Sequence, residues 1–196
     1  MHGEIAGIHA FWFGELDSDG LCAPERNALW FSSSEETDRS CRERYTGLLE
    51  QAIAGDLEDW AESDEGLVAL VVLLDQFSRN IHRGTPRAFA GDAGALRLAL
   101  TALDCSQHLG MPAIHRVFLY MPLEHSEDPA LQDRCVALFE ELAAQFPGRQ
   151  VAGFTRYAVA HRDVIARFGR FPHRNEILGR ESTSEELSWL QTHGGF

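Results

Sequence analysis

Apolar positions along this chain recur at helical spacing nearly everywhere, and nowhere alternate with the period of two that marks a half-buried strand. Ile5, Ile8, Trp12 and Phe13 share one face over residues 4–15. Pro24 opens a short helix that ends near Trp30 and Phe31. Ser34 to Ala54 is amphipathic through Tyr45, Leu48, Leu49 and Ile53, and Gly55 stops it. Asp92 starts a helix with Leu96, Leu100 and Leu103 on its face. Pro112 opens another through Val117, Phe118 and Tyr120, which Pro122 interrupts or ends. Asp128-Pro129 reads as an N-cap followed by proline at the first helical position. That helix runs through Leu131, Cys135, Leu138 and Leu142. Val151 to Phe168 is the next, closed by Gly169. Ser182-Thr183-Ser184-Glu185-Glu186 offers a capping box for a last short helix around Trp189. Short helices on short loops predict antiparallel neighbours, and the pattern predicts an all-α fold in one domain over residues 1–196.

One segment breaks the amphipathic rule. Gly66 to Leu74 is almost wholly apolar, capped by Ser63 or Asp64, and ends abruptly in Asp75-Gln76-Phe77-Ser78-Arg79-Asn80-Ile81-His82-Arg83-Gly84. A helix apolar on every side is buried on every side. Polar groups at its end must therefore be paired or they destabilise the fold. If the α-helix continues, Asp75 and Arg79 are an i,i+4 pair that extends the stripe of Val68 and Val72.

Charge changes the picture in one respect. The net charge is −13, and residues 1–75 hold 4 Arg against 17 Asp and Glu, whereas residues 76–196 hold 13 of each kind. An acidic surface of this size repels polyanions, so nucleic acid is not an expected partner. There is no Lys, so any anion site must use Arg. Cys22, Cys41, Cys105 and Cys135 form no C-x-x-C and no disulfide framework, which suggests reduced thiols in a cytoplasmic protein. The N-terminal residues do not read as a signal peptide, and the apolar run before Asp75 is too short to span a bilayer.

Three blocks together resemble one bacterial family, catalogued as domain of unknown function 924. They are Leu73 to Asn80 with Arg83-Gly84-Thr85-Pro86, Phe118 to Asp128, and His161-Arg162-Asp163 through Arg170-Phe171-Pro172-His173-Arg174-Asn175. The likeness extends from Phe11-Trp12-Phe13-Gly14 to the Ser182–Glu186 segment. It implies antiparallel helix pairs in a tetratricopeptide-like right-handed superhelix, and no known activity, so no catalytic residue is carried over. Ser78 stands where the resemblance implies proline in many relatives; serine lets the buried helix continue towards Arg79.

The same blocks hold the candidate chemistry. Asp75 and Glu124 are candidate acid–base or Arg-orienting carboxylates. Glu124 and His125 follow Pro122, where a broken helix would aim them away from its axis. Phe154, Ala158, His161, Ile165 and Phe168 fall at spacings of 4, 3, 4 and 3, so His161 faces inward. Asp75, Glu124, His125 and His161 are thus the candidate catalytic residues. Arg79, Asn80, Arg83, Arg170, His173, Arg174 and Asn175 are the candidate ligand-binding residues, the last four on a Gly/Pro-rich turn of the kind where function concentrates. The structural alternative stands beside each: Asp75–Arg79 as a buried ion pair, His161 as a satisfied core histidine, the Arg residues as partners of the acidic N-terminal part. His125-Ser126-Glu127 and His161-Arg162-Asp163 are fragments of a His/carboxylate set. Neither has the His-Glu-x-x-His spacing, so no metal site is assigned and the cofactor stays undetermined.

Two functional classes remain. One is an enclosed small-molecule site for an anion, with or without catalysis, lined by Asp75, Glu124 and His161. The other is a helical-repeat binding module whose concave groove, lined by Asn80, Arg83 and Arg174, takes a peptide or protein.

Overall fold

Capping chemistry sets where the helices begin. Ser34 accepts from the Thr37 N–H at 3.4 Å and opens α3, Glu35–Ala54. Ser63 accepts from Gly66 N–H at 3.1 Å and opens α4, Asp64–Val71. Asp128 Oδ1 accepts from the Ala130 N–H at 2.8 Å, with Pro129 as the first residue of α8, Pro129–Gln145. Thr183 and Glu186 close the reciprocal capping box of α10, Ser184–His193. Gly55 and Gly169, at φ 86° and 69°, take the left-handed conformation that ends α3 and α9, Arg149–Phe168.

The remaining helices of this computed structural model are α1, His2–Trp12, α2, Arg26–Phe31, α5, Ser78–Ile81, α6, Asp92–Asp104, and α7, Ala113–Glu124. Residues 2–32 and 34–195 are described; Met1 of the N-terminal segment lies outside them. The fold is all-α. Among the described residues there is no strand, only an isolated bridge between Leu16 and Cys22.

The apolar run forms the centre. Residues 66–78 are all buried, and α1, α3, α6 and α7 pack around them. The helix does not run on as a plain α-helix. Val72–Phe77 widens to a π turn, in which the Ser78 N–H reaches the Leu73 carbonyl, before α5 resumes. Ser78 Oγ donates to the Leu74 carbonyl at 2.6 Å, so serine supports the continuation. A π turn inserts a residue and offsets the faces above and below it, a distortion common at functional sites.

Two local expectations change. The buried face of α6 is Ala95, Leu98, Ala99, Ala102 and Leu103, while Leu96 and Leu100 are only partly covered. The reason is close approach: a Cβ on Gly91 would sit 2.2 Å from the Leu74 carbonyl oxygen, so small residues must face the central helix. Second, α7 passes through Pro122 and ends two residues later, keeping Glu124 on its last turn.

Helices α7, α8 and α9 pack in sequence, and the brief connections at 125–128 and 146–148 make each pair antiparallel. One apolar core runs from Ile8 to Ala158, and a smaller cluster of Val164, Ile165 and Phe171 lies beside it under Phe168 and Trp189. Trp12 packs edge-on against Phe77 and Phe118, at 5.1 and 5.9 Å between ring centres. This packing brings the end of the central helix, the end of α7, the middle of α9 and the turn after α9 to one place.

Candidate functional site

Asp75 sits on the π turn with no exposed surface. Its Oδ1 lies 2.7 Å from His125 Nδ1 and 3.3 Å from Arg79 Nη1. Its Oδ2 accepts from Gln76 Nε2 at 2.6 Å. Burial opposes ionisation here, but the charges and hydrogen bonds of His125, Arg79 and Gln76 outweigh it and hold the carboxyl well below its ordinary range. An ionised carboxylate only accepts, so His125 Nδ1 carries a proton and Nε2 keeps its lone pair. Burial pushes the His125 pKa down, against the pull of Asp75.

Arg79 is fully engaged. Nη1 donates to the Asp75 carbonyl at 2.6 Å, and Nη1 and Nη2 close a fork on Asp92 at 2.8 and 3.1 Å. Asp92 opens α6, and nothing in the sequence ties it to an Arg thirteen positions earlier.

Glu124 and His161 complete the cluster. His161 Nδ1 lies 2.8 Å from the Tyr157 carbonyl and 3.2 Å from Glu124 Oε1. A carbonyl only accepts, so this nitrogen is the protonated one. The His161 ring centre is 6.1 Å from that of His125 and 5.5 Å from that of Phe171. Burial, helped by the neighbouring Asp75 charge, raises the Glu124 carboxyl to about 8. Burial, with His125 alongside, pushes His161 down to about 3. One donor atom from each of Glu124, His125 and His161 lies within 4.8 Å of the other two.

The end of α7 is held by a residue that no motif or spacing along the chain singles out. Gln132 of α8 is fully buried, and its Nε2 donates to the Glu124 carbonyl at 2.6 Å and the Ser126 carbonyl at 2.7 Å. These bonds satisfy carbonyls that the end of the helix leaves without intrahelical partners. Glu127 does similar work for the turn after α9: it accepts from the Phe171 N–H at 2.8 Å and from Arg180 at 2.7 and 3.0 Å.

Arg174 stands apart from the other arginines of the blocks. It is 7% exposed, its Nη1 donates to the His125 carbonyl at 3.0 Å, and its Nε is buried without a hydrogen-bond partner. Arg79, Arg83, Arg170 and Arg180 each close a fork on a carboxylate, whereas Arg174 closes no ion pair among the described residues. Burial, and then the charge of Arg79, lower its pKa to about 10. Its guanidinium and that of Arg79 lie 5.0 and 5.6 Å from the Phe89 ring centre. Neighbouring His173 packs 5.7 Å from Phe171, and burial, with Arg174 and His125 close by, lowers it to about 4.

Four of the candidate residues go elsewhere. Asn80 Nδ2 donates to Asp38 Oδ1 at 2.9 Å, and Arg83 forks on the same carboxylate at 2.6 and 2.7 Å, which docks α3 onto α5. Arg170 forks on Glu186 at 2.6 and 2.9 Å, and Asn175 Nδ2 reaches Ser182 Oγ at 3.0 Å, which ties α10 to the preceding turn. The structure therefore brings together Asp75, Arg79, Glu124, His125, His161, His173 and Arg174, and separates Asn80, Arg83, Arg170 and Asn175.

No described helix is long and apolar enough to cross a membrane. Among curated proteins no sequence matches this chain. A solved structure of a protein of unknown function, ATU0120 from Agrobacterium tumefaciens, is similar at 35% identity, covering 97% of this chain and 98% of that one with a TM-score of 0.81. Residues 8–194 match the family model described as bacterial protein of unknown function (DUF924), and the chain belongs to that family.

Proposed function

We propose that this convergence is an enclosed small-molecule site for an anionic group, with Glu124, His125 and His161 as its reactive face and Asp75 as the residue that orients His125. The observation that carries the reading is Arg174. A buried guanidinium stays charged, and leaving one of its donors unpartnered is costly unless a ligand supplies the acceptor. An oxyanion at Nε would meet that need with a charge-assisted bond beside the two histidines.

The test is linkage. Sulfate or phosphate should raise the melting temperature of the protein, because an anion that binds only the folded state stabilises it. Arg174→Met, which keeps the unbranched stem but removes every guanidinium donor, should lose most of that response. An undiminished response in the variant would move the anion site elsewhere.

The second class, a tetratricopeptide-like superhelix with a peptide groove, draws support from the consecutive packing of α7, α8 and α9. Its groove calls for Asn80, Arg83 and Arg174 turned to a partner. Asn80 and Arg174 are buried and Arg83 is tied to Asp38, which favours the enclosed site. Four cysteines without a disulfide suit a single-domain protein of the reducing cytoplasm, and the charge of −13 argues against nucleic acid as its partner.

A further inference from the structure

We infer that Glu124, His125 and His161 bind one divalent transition-metal cation of the zinc or iron class, and that the anion held by Arg174 is a ligand of that cation. The inference rests on the reading of this cluster as a site and names what its reactive face holds. The donor set is two imidazoles and one carboxylate, the combination suited to such cations, which leaves coordination positions open.

Geometry supports it at two levels. One donor atom of each residue lies within 4.8 Å of the other two, and they come from the end of the buried α7 and the inward face of the amphipathic α9. Donors about 2.1 Å from a tetrahedral ion are about 3.4 Å apart, so loading draws these side chains inward. Around them stands the outer arrangement that metal-binding histidines require. Asp75 Oδ1 takes the proton of His125 Nδ1 at 2.7 Å, and the Tyr157 carbonyl takes that of His161 Nδ1 at 2.8 Å. Each partner fixes the tautomer that leaves Nε2 as the donor, and a carboxylate partner makes the imidazole a stronger ligand.

Arg174, whose Nη1 donates to the His125 carbonyl and whose Nε is unpartnered, is placed to hold an oxyanion at an open coordination position.

The experiment is a Co2+ titration of the chelator-treated full chain, followed by ligand-field absorption, with Zn2+ as competitor. The expected result is one Co2+ per chain, displaced by Zn2+. Glu124→Gln, nearly isosteric, and His161→Ala should each weaken binding by more than about tenfold, and Asp75→Asn by about 10–100-fold through its loss of the His125 bond. Melting curves of the metal-free variants separate lost binding from lost fold. Absence of Co2+ binding in the wild-type chain, or undiminished binding in both folded ligand variants, overturns the metal site. A chain that answers sulfate through Arg174 yet takes no Co2+ sinks the metal inference and leaves the anion reading standing. Co2+ binding without any sulfate response removes the anion and leaves the metal site.

Discussion

His125 Nδ1 sits 2.7 Å from Asp75 Oδ1, across fifty positions of sequence, and this bond joins the end of the central helix to the end of α7. Asp75 is buried on every side, so its charge is tolerated only because His125, Arg79 and Gln76 surround it. Orientation of the His125 imidazole and stability of the fold therefore depend on the same carboxylate.

Asp75→Asn should destabilise the protein. Removing one partner of a buried ion pair costs about 3–5 kcal/mol, and the low end applies because Arg79 keeps its fork on Asp92. Urea unfolding of variant and wild type measures the difference. An unchanged midpoint would show that the Asp75 charge adds nothing to the fold.

Gln132→Leu tests the support beneath Glu124 and His125. The substitution keeps the bulk but removes the donor to the Glu124 and Ser126 carbonyls, which costs about 1–3 kcal/mol per unsatisfied buried group. The predicted signature is a lowered unfolding midpoint with loss of the sulfate response, since the α7 terminus would shift. Full retention of both would make the Gln132 bonds incidental.

Gly91→Ala should be disruptive even though Gly91 has an ordinary φ of −87°. Its new Cβ would lie 2.2 Å from the Leu74 carbonyl oxygen, a backbone atom with no torsion to yield, so overpacking of about 1–3 kcal/mol is expected. Gly94→Ala is the control, because its Cβ would meet only the flexible end of the Leu74 side chain, Cδ1 at 3.3 Å and Cδ2 at 3.9 Å. Equal unfolding midpoints for the two variants would contradict the close-approach argument.

His115 makes acid stability predictable. Burial, with His9 beside it, lowers its pKa from 6.5 to about 3. The unfolded chain then binds a proton that the folded chain refuses, so stability falls as pH drops below 6.5 and the loss is complete only near pH 3. His115→Phe keeps the ring between Phe13 and His9 and removes this titration. Unfolding midpoints measured down that pH range should fall less steeply for the variant. Parallel slopes would mean that other groups account for the acid limb.

Helix positions and the inward face of His161 were legible in the sequence because they depend on local rules. Ser34, Ser63, Asp128 and Thr183 cap within three residues of themselves, and an apolar stripe at spacings of 3 and 4 has one way to face. The all-round burial of residues 66–78 followed from composition alone. Which charges meet was decided only by tertiary docking. Asp75, Glu124, His125 and His161 could be named as candidates from their polar setting in apolar runs, but Asp38, Asp92, Glu127 and Glu186 claimed Arg83, Arg79, Arg180 and Arg170 from positions 13 to 53 residues away. An Arg pairs with whichever carboxylate the packing of helices delivers, and 30 acidic residues offer many choices. Arg174 became exceptional for the same reason: the fold buried it where no carboxylate reaches its Nε, a fact about neighbours in space that no spacing along the chain encodes.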